Sequence, residues 1–461
     1  MSERQSERRQ VLAAIAAVAA SRAFGFPLAL AINIWLARVL DRADFALFGV
    51  LTTFSLLFAL FAQAGFQTGV VRMLGEAEAG DERFGKPAIF YSALLVTAAV
   101  GGLLAIVFFF AGPSILPDIS RATPWLFLWA AVLLVARSLN TVTAQALRGI
   151  GHVGASANLS GQGDQGGFIR CLMVIAGISL ASIYGILDLE AAIIVSIAAS
   201  VACTIWASAL VLSKTGISSS GNEIAATIRS GRKDNFNMML SEALLYWSWS
   251  TAAVVIGGVL IDASAMAGVV AAFQVSYILT SPITMIAGSV PKILIRLQRS
   301  GEKEELERVL RGTASAAFLF CLAACAILLA IGPGGFRAVF GSSYSDAYYH
   351  IAILSGGILF FVYCGLSGQA LLLLGDTTVH RRVMIRVLFV TTPAYILLAM
   401  LIGPYGLSIG LVISMVLQKV LMIRAVRHDL DLNTQAYLDP REYVKLYRFG
   451  LRLLAQRSSL G

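Results

Sequence analysis

Residues 88–111 read AIFYSALLVTAAVGGLLAIVFFFA, a run without a charged side chain, bracketed by Arg83 and Lys86 before it and by Asp118 and Arg121 after it. As a helix rising about 1.5 Å per residue it spans the roughly 30 Å hydrocarbon core of a bilayer. Similar runs cover about 11–38, 45–72, 123–147, 167–187, 190–213, 236–260, 265–294, 312–332, 350–374, 383–402 and 405–424. The sequence therefore predicts an all-α polytopic membrane protein of about twelve transmembrane helices, with almost nothing left for a soluble domain.

Composition agrees. Of 461 residues, 58% are apolar and 13% charged, against roughly half and a quarter in a soluble domain, which argues against a soluble enzyme. The first run continues past Arg22 to about Leu40, too long for the apolar core of a signal peptide, so it is kept as a span. Cys171, Cys203, Cys321, Cys325 and Cys364 all lie inside apolar runs, an odd number with no CxxC, so neither a disulfide framework nor a zinc site is supported. No metal site or catalytic constellation emerges.

The formal charge of +9 is distributed between the runs rather than along one face, which speaks for membrane topology and not for nucleic acid. Alternate connections carry Arg4, Arg8 and Arg9; Arg83 and Lys86; Arg148; Lys214, Arg229, Arg232 and Lys233; Arg296, Arg299, Lys303 and Arg308; Arg381 and Arg382; and a basic tail. The other connections hold little more than Arg42, Arg121 and Arg337. Cations favour the cytoplasmic side, so both termini are read as cytoplasmic and the number of spans as even.

The halves resemble each other. Gly49, Val50, Phe54 and Gly69 match Gly268, Val269, Phe273 and Gly288 at a spacing of 219. Ala144-Gln145-Ala146-Leu147 with Gly151 matches Gly368-Gln369-Ala370-Leu371 with Gly375 at 224, and Tyr184-Gly185 matches Tyr405-Gly406 at 221. The organisation expected is a six-helix lobe over 1–213, a cytoplasmic linker over 214–235, a second six-helix lobe over 236–424 and a basic amphipathic tail over 425–461. Six spans per repeat insert both lobes the same way, related by a pseudo-twofold along the membrane normal, with a site near the midplane between them.

Two phosphate-loop spellings fail on context. Gly149 to Gly154 reads GxGxxG but follows a membrane helix, so the stretch to Gly167 is read as a mobile loop; in Gly80 to Lys86, GxxxxGK, Pro87 replaces the Ser or Thr that binds magnesium.

Cations inside the spans carry more. An Arg at the centre of a membrane helix costs about 2.5 to 3.5 kcal/mol on the mildest scale. Arg22 and Arg137 lie near the middle of the first and fourth spans, Arg170 enters the fifth, and no acid stands in the first five. Such residues either face an anion in a wet cavity or bond carbonyls and snorkel; a guanidinium fork suits a phosphate oxygen pair. Glu242, early in the seventh span, is read as a gating or proton-coupling group, facing Arg22 or Arg137 when the inward side is closed. Asn140, Gln145, Tyr246, Trp247 and Trp249 have the amides and rings of a sugar path, although amides also bridge helices. Pro27, Pro282, Pro291 and Pro393 are candidate hinges. Gly65-x-x-x-Gly69 and Gly406-x-x-x-Gly410 are expected to bring helices together within each lobe. Asp439 and Pro440 begin a basic amphipathic helix expected on the anionic leaflet, or docking a partner.

Leu36-Ala-Arg-Val-Leu40, Asp44-Phe45, Phe48-Gly49 and Gly65 to Arg72, with Phe340 to Tyr344, Ala347 and Gly403-Pro-Tyr-Gly406, resemble the polysaccharide and O-antigen flippases of the multidrug/oligosaccharidyl-lipid/polysaccharide exporter superfamily. The resemblance covers nearly the whole chain. It implies a bacterial inner-membrane transporter that turns an oligosaccharide on undecaprenyl pyrophosphate from the inner to the outer leaflet by alternating access. The repeat unit would serve O-antigen, capsule or exopolysaccharide. No cofactor is implied; the energy source would be a proton or sodium gradient or the membrane potential. Partners would be the lipid-linked oligosaccharide, membrane lipid, a polysaccharide polymerase and glycosyltransferases. Positively charged residues in the first lobe of such proteins correspond to Arg22 and Arg137. Two alternatives stay open: a cation-coupled drug or metabolite exporter on the same fold, which would place acids in its cavity, and a membrane scaffold or glycan polymerase or ligase, which would have larger outer connections.

Overall fold

The computed structural model describes residues 2–78, 83–115, 124–160, 167–289, 294, 297–298, 300–375 and 377–439. Arg121, Pro291, Arg296, Arg299, residues 80–82 of the GxxxxGK match and the tail from 440 lie outside them. All regular elements among the described residues are helical: α1 (Ser2–Val39), α2 (Arg42–Ala62), α3 (Phe66–Glu78), α4 (Lys86–Ile115), α5 (Pro124–Gly149), α6 (Val153–Leu159), α7 (Phe168–Ile183), α8 (Leu189–Thr215) and α9 (Gly221–Tyr246). After a π-helical turn (Trp247–Thr251) come α10 (Ala252–Leu260), α11 (Ala263–Ser289), α12 (Lys303–Phe340), α13 (Ala347–Tyr363), α14 (Ser367–Leu374), α15 (Thr377–Ile402) and α16 (Pro404–Asp429). Eleven helical stretches among the described residues are long and apolar enough to cross a membrane, and α7, shorter at 16 residues, is the remaining apolar run. The protein is an all-α polytopic membrane protein.

The repeat is visible in the packing. In the first lobe α5 lies against α4, α8 and α2, and α7 against α8 and α1; in the second α13 lies against α12, α16 and α11, and α15 against α16 and α10. Between lobes α1 meets α11, while α2 meets α9 and α10. Exchanging each helix for its repeat partner converts one set of neighbours into the other, as a twofold along the membrane normal requires. Small residues permit the approach: a Cβ on Gly49 would stand 2.5 Å from Val270, and one on Gly258 would stand 2.6 Å from Val50.

Helix breaks fall at glycines and at one π turn, not at the expected prolines. Helices α1, α11 and α15 run through Pro27, Pro282 and Pro393. The second span instead breaks at Ala64 (φ 48°) and Gly65 (φ 82°), the ninth at Gly332 (φ 68°) and the tenth at Gly365 (φ 63°). In the seventh, Trp249 leaves helical geometry (φ −92°, ψ −157°). A further difference concerns the linker: α9 already starts at Gly221, where the Ser220 hydroxyl accepts from the Glu223 amide at 3.2 Å. Hydropathy overlooks this polar start, yet Ser220-x-x-Glu223 spells a capping box. The early turns of α9 pack on α3, with Asn235 filling the space that Gly65 and Gly69 leave open, so this GxxxG pair joins lobes and not helices of one lobe. Gly406 and Gly410 do pack within their lobe, against Leu398 and Tyr395.

The face away from the chain termini, called distal here, is closed by two arginines of the first lobe. Arg42 donates to the Ser264 carbonyl at 2.6 Å, to the Ser343 carbonyl and to the Asp346 carboxylate. Arg38 donates to the Val339 carbonyl at 2.8 Å and to that of Ala338. Tyr344 stands edge-on to Phe45, and its burial pushes the phenol up to about 12.

On the terminal face, residues 430–438 fold back as a strap over the break in the tenth span. The Ala436 amide donates to the Tyr363 carbonyl at 2.8 Å and the Thr434 hydroxyl to that of Cys364 at 3.1 Å. Lys419 reaches the Gly365 carbonyl at 2.7 Å. Asn433 bonds Glu307, Arg311 lies over the Tyr437 ring, and the Lys303 ammonium at 2.5 Å holds the Asp431 carboxyl below its ordinary range.

Two outcomes are expected. Gly365→Ala, whose Cβ would lie 2.4 Å from the Thr434 carbonyl oxygen, should cost about 1–3 kcal/mol, read as a lower thermal midpoint in detergent; an unchanged midpoint would show that the strap does not hold the break. Arg42→Ala should lengthen and broaden the spin-label distance between positions 39 and 339, and an unaltered distribution would mean that apolar contact alone seals the distal face.

Candidate functional site

The terminal half of the lobe junction contains a cavity of about 240 Å³. Its first-lobe walls are α1, through Val18, Ser21, Arg22 and Phe26, the end of α5, through Gln145 and Arg148, and α6, through Val153, Ser156 and Ala157; Tyr246 and Thr284 close it from the second lobe. The Gly149 to Gly167 stretch, expected as a mobile loop, thus includes a helix that forms a wall. Asn140 holds that helix by donating to the Leu159 carbonyl at 3.1 Å.

Arg22 and Arg148 give the cavity its charge and lie close enough to repel one another. Among the described residues neither forms an ion pair. Among the described residues that line it no carboxylate faces these two cations, and a dianion entering the cavity would relieve their repulsion and accept from both forks. Tyr246 and Gln145 add a ring and an amide beside them.

The other expected site residues are placed elsewhere. Arg137, 4% exposed, donates to the Thr52 carbonyl at 2.9 Å. It lies on the same stripe of α5 as Arg148, three turns deeper, where α2 crosses and offers that carbonyl. Arg170, 6% exposed, contacts the Ser200 hydroxyl at 3.3 Å between α7 and α8. Asn140 is a packing residue, as above. Trp247 donates to Thr392 at 2.9 Å, and Trp249 meets Phe361 edge-on at 4.8 Å, both within the second lobe. The pairing of Glu242 with Arg22 or Arg137 is expected when the inward side is closed; here, with the distal side closed, Glu242 accepts from the Thr68 hydroxyl.

Glu242 belongs to a second cavity of about 670 Å³ between α3, α9, α14 and α15. Arg72 and Asp234, paired at 3.0 Å across the lobes, line it together with Asn237, Ser241, Leu245, Leu372, Thr378, His380 and Arg381.

Two cations escaped the sequence reading. Arg148 was assigned to topology, although it stands three residues from Gln145 on one helix face. Lys419 interrupts the last apolar run as plainly as Arg22 does the first; it is 5% exposed and its ammonium lies 4.0 Å from the centre of the Phe361 ring.

Residues 11–293 match the family model described as polysaccharide biosynthesis protein. No curated protein matches the chain. In fold, the chain is similar to an inward-facing multidrug resistance MATE family transporter of the MOP superfamily, with a TM-score of 0.68 and 16% identity over 90% of this chain and 97% of that one. It is also similar to the lipid II flippase MurJ in an inward closed conformation, with a TM-score of 0.66 and 13% identity over 89% and 87%. A third likeness is to a MOP superfamily transporter from Pyrococcus furiosus described as having a binding pocket of reversed polarity, with a TM-score of 0.60 and 15% identity over 90% and 95%.

Because Arg137 bonds a neighbouring helix, Arg137→Ala is expected to act on stability. It should cost about 2–4 kcal/mol in thermal unfolding; a variant of normal stability would return Arg137 to the candidate site residues.

Proposed function

Because the chain belongs to the polysaccharide biosynthesis protein family, we propose that this MOP superfamily transporter is a flippase for an oligosaccharide linked to undecaprenyl pyrophosphate. The observation that carries this reading is the Arg22 and Arg148 pair, without an acid partner among the described residues, in a cavity walled by both lobes. A pyrophosphate leaving water needs fixed positive charge, and the half-buried Arg22 with the exposed Arg148 supplies two guanidinium forks that can donate to its oxygens. The polyprenyl tail stays in the bilayer meanwhile.

With the lobes joined on the distal face through Arg38 and Arg42, and the two cavities between the lobes described above lying toward the termini, substrate enters from the terminal side. The distribution of Lys and Arg supports reading that side as cytoplasmic, and an undecaprenyl-linked substrate goes with the bacterial inner membrane. Opening the distal contacts then delivers the diphosphate to the outer leaflet. The repeat unit is that of an O-antigen, a capsule or an exopolysaccharide; glycosyltransferases would supply it and a polymerase would consume it. A proton or sodium gradient or the membrane potential would drive the cycle, with no cofactor. A cation-coupled small-molecule exporter is the second reading, favoured by the carboxylate of Glu242 in the larger cavity.

Arg22→Ala and Arg148→Ala should each slow flipping by about 10- to 100-fold, the loss of one charge-assisted contact, with lipid-linked intermediate accumulating on the inner leaflet and thermal stability kept. Lys at either position should restore part of the rate, since it keeps the charge and loses the fork. Normal export in the double Ala variant would remove the diphosphate reading and leave the exporter.

A further inference from the structure

The two cavities are copies of one another. At the spacing of 219 that relates the first and seventh spans, Val18, Arg22 and Phe26 correspond to Asn237, Ser241 and Leu245; at the spacing of 224 that relates the fourth and tenth, Arg148 corresponds to Leu372. All four of the former line the smaller cavity, and all four of the latter line the larger. The repeat has thus produced two equivalent recesses, and in one of them both arginines of the anion site are replaced, by a serine and a leucine.

We infer that the larger recess is the glycan subsite, binding the uncharged sugars of the substrate whose diphosphate lies with Arg22 and Arg148. This rests on the flippase reading above. Size requires a second place: a 240 Å³ cavity lies below the range of about 300–1,000 Å³ that holds an ordinary small-molecule ligand, and several sugars need more. The 670 Å³ recess supplies it. Helix α9 joins the two, since Leu245 lines the larger and Tyr246 the smaller.

Charge separates their ligands. Arg72 and Arg381 in the larger recess face Asp234 and Glu242, so formal charges cancel with His380 neutral, and Arg72 is already paired with Asp234. Around that pair stand amide, hydroxyl and carboxylate groups: Asn237, Ser241 and Glu242 present donors and acceptors together, as sugar hydroxyls require. Met238, Leu245 and Leu372 provide apolar surface for pyranose faces.

The test reads alkylation of single introduced cysteines by N-ethylmaleimide in cells, the five native cysteines being buried. Ala157→Cys reports the smaller cavity; Ser241→Cys, with Asn237→Cys as a second reporter on the same wall, reports the larger. Three strains are compared: one without the transferase that starts the lipid-linked sugar, one without the transferase that adds the second sugar, and one making the whole repeat unit. Ala157→Cys should be protected in both sugar-bearing strains. Ser241→Cys and Asn237→Cys should be slowed at least about fivefold only with the whole repeat unit, by occupancy of the recess. Equal reactivity of these two in both sugar-bearing strains, with Ala157→Cys protected, would overturn the glycan subsite and leave the flippase reading standing. No protection at any position in any strain would overturn both.

Discussion

A backbone carbonyl facing hydrocarbon has no water to bond, and each one left open costs several kcal/mol. This constraint sorts the polar side chains of the protein. Arg137 serves Thr52, Lys419 serves Gly365, Asn140 serves Leu159, and Arg38 and Arg42 serve carbonyls across the distal junction. Most intramembrane cations are therefore committed to the fold. Among the described residues Arg22 and Arg148 have no such partner, and the proposed function rests on their charge.

The internal repeat supplies the scaffold, and the departures from it supply the specialised parts. Arg42 corresponds to Ile261 at a spacing of 219, so the distal contact exists once and not twice. Glu242 corresponds to Ala23, and the Arg22 and Arg148 pair has no cationic copy. A duplicated framework gives two lobes that can rock about a shared axis. Single-copy charges on that framework distinguish one face, and one recess, from the other.

Hydropathy made the spans legible because membrane crossing is a one-dimensional property: length, apolarity and flanking charge determine it. The repeat was legible for the same reason, since residue spacing survives where similarity fades. What each cation bonds was not. Arg137 and Arg148 share a stripe of α5, and only the place where α2 crosses determines that the deeper one meets Thr52. Proline drew attention as a hinge because its chemistry is visible in one residue. The breaks at Gly65 and Gly365 depend on what packs against them, Asn235 in one case and the strap in the other. The start of α9 was overlooked because it is polar, while its capping box was present in the sequence.

The strap has a consequence for how the molecule is made. Residues 430–438 are translated after all the described membrane helices, yet they satisfy carbonyls of the tenth span. Until they emerge, the carbonyls of Tyr363 and Cys364 at the break lack these partners. The second lobe is therefore finished only once the strap has been made, and a truncation or fusion placed before Thr434 leaves it unfinished.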